Sequence, residues 1–554
     1  MRIIIIPFLV FLLSTCSLMH HETSQNIPKL LVFISIDGLN ADAFSILKDE
    51  YSGGYRTLLD KGTFYTEALH DHAATETGPG HSVLLSGQYP GEKGVLGNNF
   101  YHSILEKKIY CIVDDSATSV GGGRPVSYQR IQGGTFGDWL KNAYPESKVL
   151  SVSGKDRAAV LMAGKHPDGA YWYNWDSTGF GTSSYYVDAL PTYISDFNAK
   201  LRPNDFKDSL WTKLKSDDFY TKYGRSVDNY FYERDCSNRT DAYEMNKKKH
   251  FPAFPHRVTY EENGFDDDYY SGFGFTPFLD KITIELAEEI LINENLGKDA
   301  SPDVLILGLS STDIIGHTAG SFSHEYLDVQ LRIDAMLGEF MSHVNAIVGQ
   351  DVVYVLTSDH GSIPLPEYLQ EKGIAARRIG KDISAFKKNF KSIIDLDYGQ
   401  YSDIFIEWNY LQPAIRNDKK LVKRLDKQLR SFAKEADWIE AIYSRQQILQ
   451  DESTLDRIGK LVKHSWNPNY GPDWVIISKE NLLGLRMPKG TSHGTPYRYD
   501  QRVPLIFMSE HFEPGIEIQK NVRTIDIAPT LAELFNISVL DSIPGKSLLI
   551  NEME

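Results

Sequence analysis

Three carboxylates and three imidazoles in this sequence have the types and spacing of ligands for two metal ions. Asp313 and His317 stand four residues apart, so on one helical turn both reach the same side. Asp359 and His360 are adjacent in Ser358-Asp359-His360-Gly361, an arrangement that a turning loop can aim at one point. Asp37 precedes Gly38, and His493 lies in the glycine-flanked stretch Gly490-Thr491-Ser492-His493-Gly494-Thr495. Nitrogen and oxygen donors, with no Cys-x-x-Cys, suit zinc and leave open positions on two ions. Two ions about 3.5–4 Å apart are the standard device for in-line displacement at phosphorus. A hydroxyl that could make the attack lies in Thr75-Glu76-Thr77-Gly78-Pro79-Gly80-His81. That stretch reads as a tight loop feeding a short helix before Val83-Leu84-Leu85, with Thr77 near the helix N-terminus. The helix dipole and unpaired backbone N–H groups there favour an alkoxide and an incoming anion. Taken alone, a threonine before Gly-Pro is a cap, and it is the Asp and His set that gives Thr77 a chemical reading. The other histidines, among them His70, His72, His81, His102 and His324, read as lying on the surface or behind the ligands.

The elements that must position these groups are legible as buried strands. Leu30-Leu31-Val32-Phe33-Ile34-Ser35-Ile36 is nearly continuous in β-branched and apolar residues, the pattern of a parallel strand covered on both faces. Val304–Ser310 and Val352–Thr357 repeat it. The three runs are followed by Asp37, Asp313 and Asp359, and ligands of open α/β sheets bind at that carboxyl edge. Thr276-Pro277 suits a helix start, with Phe278, Ile282, Leu286 and Ile290 on one face. Residues 324–340 and 419–436 also read as helices, Val503–Phe507 as a strand and Thr524–Leu531 as a strand-to-helix junction. The expected fold class is α/β: a mostly parallel, doubly wound central sheet flanked by helices. Cap regions are expected as insertions at about 170–275 and 365–485 of a catalytic domain spanning 22–554.

With 554 residues, 42% hydrophobic and 24% charged, the chain can bury a large core. Its formal net charge of −16 argues against binding to nucleic-acid backbones, and Lys247-Lys248-Lys249 reads as a solvated face. Met1-Arg2 followed by apolar residues 3–13 reads as an export signal over 1–21, too short to span a bilayer. Leu13-Ser14-Thr15-Cys16 resembles a bacterial lipobox with Thr15 departing from the preferred small residues, so lipidation at Cys16 and ordinary cleavage nearby both stand. A lipid anchor at Cys16 is the one membrane attachment expected. Cys111 and Cys236 remain in the mature chain, and sequence does not say whether they pair.

Asp37-Gly38, Thr77-Gly-Pro-Gly-His81, Asp313-x-x-x-His317, Ser358-Asp359-His360-Gly361, His493 and Asp526-Ile-Ala-Pro-Thr530 resemble, in order and rough spacing, the alkaline phosphatase superfamily. The closest resemblance is to the phosphate-irrepressible zinc alkaline phosphatases of Bacteroidetes-type bacteria, over nearly the whole mature chain. It implies one zinc held by Asp313, His317 and His493. A second would be held by Asp37, Asp359, His360 and Thr77, with Thr77 as nucleophile and a phosphothreonine intermediate. It further implies that Asn98 donates to a phosphoryl oxygen and that Lys155 and Arg157 bind the remaining ones. Lys155 and Arg157 lie two apart, so in an extended loop both reach one side. Two cations favour a monoester dianion over a diester. The resemblance thus implies hydrolysis of small organic phosphate monoesters by a monomeric, exported enzyme, periplasmic or associated with the outer membrane. A nucleotide phosphodiesterase of the same superfamily is the alternative, and a surface lipoprotein that binds phosphorylated ligands without turnover is another. The lack of a Cys/Ser-x-Pro-x-Arg motif around Thr77 argues against a sulfatase.

Overall fold

The computed structural model describes residues 27–175, 179–200, 206, 209–234, 253–257, 273–540 and 542–549. The export signal expected over 1–21, the lipidation at Cys16 and residue Cys236 lie outside the described residues.

Strand β1, Leu30–Ile36, is buried at every position. Successive side chains of a strand point to opposite faces, so a strand apolar throughout needs cover on both. Leu30, Val32, Ile34 and Ile36 enter one apolar cluster, and Leu31 and Phe33 enter another. Nine further strands complete a ten-stranded sheet. In chain order they are β2 Thr63–Leu69, β3 Ser119–Val120, β4 Val149–Ser153, β5 Gly169–Tyr173, β6 Phe180–Ser183, β7 Asp303–Leu309, β8 Val352–Thr357, β9 Arg502–Met508 and β10 Ile516–Arg523. The spatial order is β10-β2-β9-β8-β1-β7-β4-β5-β6-β3. Strands β8, β1, β7, β4 and β5 form a continuous parallel centre. Only β9 and β6 run against the other eight.

Helices cover both faces. The helices named below are, in chain order, α1 Thr77–Leu84, α2 Phe136–Ala143, α3 Asp156–Ala163, α4 Phe278–Asn293, α5 Ser311–Ala319, α6 His324–Val348 and α7 Ile527–Leu534. Helix α4 presents Leu279, Ile282, Leu286 and Ile290 to the first apolar cluster, joined by Leu337, Phe340 and Val344 of α6. Phe136 and Leu140 of α2, Ala158 and Met162 of α3, and Ile527 and Leu531 of α7 fill the second. The sheet is therefore doubly wound, as the three apolar runs require. Residues 358–501 contribute no strand to it. They hold a separate apolar cluster built on Phe386, Phe390, Leu425, Leu429, Trp438 and Trp474. Among the described residues, no helix is long and apolar enough to cross a membrane.

Candidate active site and metal centre

The carboxyl ends of β1, β7 and β8 are level, because Ser35 of β1 pairs with Gly308 on one side and Thr357 on the other. Asp37, Asp313 and Asp359 are therefore delivered to one place. Asp37 is fixed by its N–H, which donates to Leu309 O at 2.8 Å. Helix α5 begins two residues after β7, and its first turn is anchored by Asp280 of α4. The Asp280 carboxylate accepts from Ser310 N at 2.7 Å and Ser311 N at 3.1 Å, a negative charge at a helix N-terminus. Gly38 has φ +69°, and a Cβ there would stand 2.8 Å from Asp313 Cβ. Only glycine permits that turn and that approach. The Gly38 N–H donates to Asp359 Oδ1 at 3.0 Å, tying the first and third strand ends together. Gly80 plays the matching part for α1: a Cβ there would lie 2.0 Å from Asp359 O, so glycine lets the Thr77 helix sit on the Asp359 segment.

The three imidazoles share one device. His360 Nδ1 lies 2.8 Å from Gly361 O, His317 Nδ1 3.0 Å from Thr491 O, and His493 Nδ1 2.7 Å from Thr75 O. Each carbonyl accepts a proton from Nδ1, which assigns the tautomer and leaves Nε2 as a lone pair. Those lone pairs converge. His317 Nε2 is 3.3 Å from His493 Nε2 and 3.4 Å from Asp313 Oδ1. His360 Nε2 is 3.3 Å from Asp359 Oδ2 and 3.6 Å from Asp37 Oδ1. The rings of His360 and His493 stack at 3.5 Å, so the two sets of donors adjoin. Burial pushes His493 and His360 below the ordinary imidazole value, which keeps both neutral, the form that ligates a metal.

Two groups of three donor atoms lie within 4.8 Å of one another: Asp37, Asp359 and His360, and Asp313, His360 and His493. Asp37 Oδ1 and His360 Nε2 are buried 3.6 Å apart with no hydrogen-bond partner among the described residues. Buried acceptors facing each other with no protons between them are costly unless a cation sits among them. The donor set therefore fits two divalent ions. One cation of the chain itself is present: Lys155 Nζ stands 2.8 Å from Asp37 Oδ2 and 2.5 Å from Asp313 Oδ2. Burial disfavours that ammonium, but Asp313 and Asp37 offset it and hold Lys155 above its usual value. One ammonium does not balance three carboxylates, and burial together with Asp359 pushes the Asp37 carboxyl well up.

Thr77 opens α1, and with Lys155, Arg157, Asn98 and His493 it lines one cavity of about 730 Å³. Asn98 Oδ1 accepts from Gly78 N at 2.7 Å, and Asn98 N donates to Glu76 Oε2 at 2.8 Å. Its side-chain NH2 is thereby turned to the cavity as a donor. Lys155 and Arg157 do not sit in an extended loop: Lys155 is the N-cap residue of α3, and Arg157 belongs to its first turn. Lys155 reaches the carboxylates, whereas Arg157 Nη1 donates to Tyr110 Oη at 2.7 Å and Tyr110 in turn donates to Asp156. The histidines set aside in the sequence are not at the surface, apart from partly covered His102, which stacks on Tyr470. His70, His72, His81 and His324 are buried. His81 Nδ1 lies 2.9 Å from Thr77 O and 3.1 Å from Asp359 Oδ2, so it buttresses both a candidate nucleophile and a candidate ligand. His70 holds Ser358 O at 2.9 Å. The four-residue step from Thr77 to His81 on one helix was the signal available for the first, whereas Tyr110 and Asp280 gave none.

Residues 31–492 match the family described as type I phosphodiesterase / nucleotide pyrophosphatase. Alkaline phosphatase PafA of Elizabethkingia meningoseptica is 29% identical over 542 residues, covering 94% of this chain and 94% of that protein. Alkaline phosphatase PhoV of Synechococcus elongatus is 28% identical over 536 residues, covering 94% and 92%. The crystal structure of alkaline phosphatase PafA superposes with a TM-score of 0.82 at 27% identity, covering 94% of this chain and 98% of that one. A solved variant of PafA carries replacements of a threonine, an asparagine, a lysine and an arginine. The first two are spaced as Thr77 and Asn98 are, and the last two as Lys155 and Arg157 are.

Proposed function

Because the chain belongs to the type I phosphodiesterase / nucleotide pyrophosphatase family, within the alkaline phosphatase superfamily, we propose that it is a phosphomonoesterase working through Thr77. The observation that carries the monoester reading is the pair of cations, Lys155 and Arg157, lining the cavity that Thr77 opens into. A monoester presents two negative charges on its terminal oxygens and a diester one, so two cations favour the former.

Asp313, His317 and His493 would hold one zinc ion, and Asp37, Asp359, His360 and Thr77 the other. When bound, such ions supply Lewis acidity that lowers the pKa of a hydroxyl or water and stabilises a leaving oxygen. The chain's own groups do the rest. Thr77 Oγ1, having lost its proton, forms a bond to phosphorus as the bond to the alcohol oxygen breaks. The alcohol oxygen departs with the electron pair and takes up a proton. Asn98 Nδ2, Lys155 Nζ and Arg157 face the equatorial oxygens and compensate their charge. Water then bonds to phosphorus, the Thr77 ester breaks, phosphate is released and Thr77 recovers a proton. The export signal read over 1–21 supports action outside the cytoplasm, and the two cations support small organic phosphate monoesters as substrates.

The family description favours a second reading, a nucleotide phosphodiesterase. Comparing kcat/KM for 4-nitrophenyl phosphate and bis(4-nitrophenyl) phosphate on zinc-loaded protein decides between them. The monoester is expected to win by several powers of ten, and a preference for the diester replaces the monoesterase reading.

A further inference from the structure

We propose that the outer wall of this cavity holds a second anion position, centred on Arg124. It would select phosphate monoesters whose leaving group carries another carboxylate or phosphate a few bonds away. The inference rests on the monoesterase reading and names the substrate class within it.

A cavity of about 730 Å³ has room for far more than a phosphoryl group, since pockets of this size enclose whole small-molecule ligands. Arg124 and Gly123 form part of its wall. The loop that carries them leaves edge strand β3 through Gly121, Gly122 and Gly123, whose φ values are +82°, +99° and +83°. A Cβ on Gly123 would stand 3.2 Å from Asn174 Cγ, so the loop is pressed against the β5 side of the cavity. The guanidinium carbon of Arg124 lies 5.1 Å from the centre of the Tyr110 ring, and that of Arg157 lies 5.5 Å from the same centre. The two cations are therefore at most about 11 Å apart. That span accommodates a terminal phosphoryl group at one end and a second anion three or four bonds away at the other.

The charges around them differ. Lys155 faces Asp37 and Asp313, and Arg157 has Asp156 at 3.9 Å. Arg124 is exposed, and among the described residues its one partner is the Tyr110 ring. Although the chain has a formal charge of −16, no carboxylate among the described residues pairs with this cation at the cavity wall. The Tyr110 ring holds the guanidinium plane in place and leaves its N–H donors to the ligand.

The test uses two pairs of probes that differ only in the second anion. Calorimetric binding of propylphosphonate and 3-phosphonopropionate to the zinc-loaded protein avoids turnover. Hydrolysis of glycerol 3-phosphate and 3-phosphoglycerate gives kcat/KM. The carboxylate-bearing member of each pair is expected to be preferred about three- to fivefold, the size of an exposed charge pair, with the preference shrinking in high salt. Arg124→Gln should erase the preference while changing the other member less than about twofold, and Arg124→Lys should restore part of it. A preference that survives in Arg124→Gln, equal losses on both members, or no preference in the parent protein overturns the proposal. If neither monoester is hydrolysed, the proposed activity falls and the phosphonate pair still decides whether Arg124 binds an anion.

Discussion

Replacing Lys155 and Arg157 together by alanine removes two positive charges from the cavity. Each makes charge-assisted contacts, and such contacts contribute roughly 1.5–3 kcal/mol, about one to two powers of ten in rate apiece. Lys155 is nearly buried, so its contact is not screened by solvent. The double variant should therefore lose about two to four powers of ten in kcat/KM on a monoester. A diester carries half the charge on its terminal oxygens, so its loss should be about half as large in free energy, roughly one to two powers of ten. Measured on 4-nitrophenyl phosphate and bis(4-nitrophenyl) phosphate, the preference for the monoester should fall by about tenfold to a hundredfold. Zinc content should hold or rise, because the change takes an ammonium from between Asp37 and Asp313 and leaves both carboxylates to the ions. Equal losses on the two substrates would refute the argument from charge. A fall in zinc content matching the loss of rate would assign both cations to the metal centre instead.

Thr77→Ala should abolish multiple turnover with little change in melting temperature, since no cap hydrogen bond of α1 depends on that side chain, and Thr77→Ser should keep part of the activity. Retained turnover in Thr77→Ala would remove it from the mechanism. Chelation should inactivate the protein and lower its melting temperature by withdrawing ions that bind only the folded state, and added zinc should reverse both. Protein insensitive to chelator and free of metal by elemental analysis would refute the bimetal site. Buried Lys93, whose Nζ donates to Gly134 O, is pulled down to about 7 chiefly by burial. Between pH 7 and about 10.5 the unfolded chain holds the Lys93 proton more tightly than the folded one, so this cost to stability is fully present below pH 7 and relieved as pH rises. Denaturation across that window should show stability climbing in the parent protein and a flatter profile in Lys93→Met, and identical slopes would refute the assignment.

The sheet centre was legible because burial on both faces leaves a mark that needs no partner to read. Leu30–Ile36 is apolar at nearly every position, and the residue after its carboxyl end is a carboxylate. Asp313 and His317 were legible for the same reason, since a helical step of four is local. The conformation of Lys155 and Arg157 was not. A spacing of two suits an extended loop, but Lys155 caps a helix whose apolar residues pack on the sheet, and that packing decides the backbone. His81 sits behind the candidate ligand, one of the two readings open for it, and the choice between them depends on Asp359, 278 residues away in the chain. Asp280 and Tyr110 act wholly through residues brought near by folding, and no local pattern marks either one.

A lysine shared by two of the three carboxylates offsets part of their mutual repulsion within the chain itself. The ammonium of Lys155 bridges Asp37 and Asp313, two charges from different strand ends that would otherwise push the sheet edge apart. The chain thus supplies part of the positive charge that its clustered carboxylates call for.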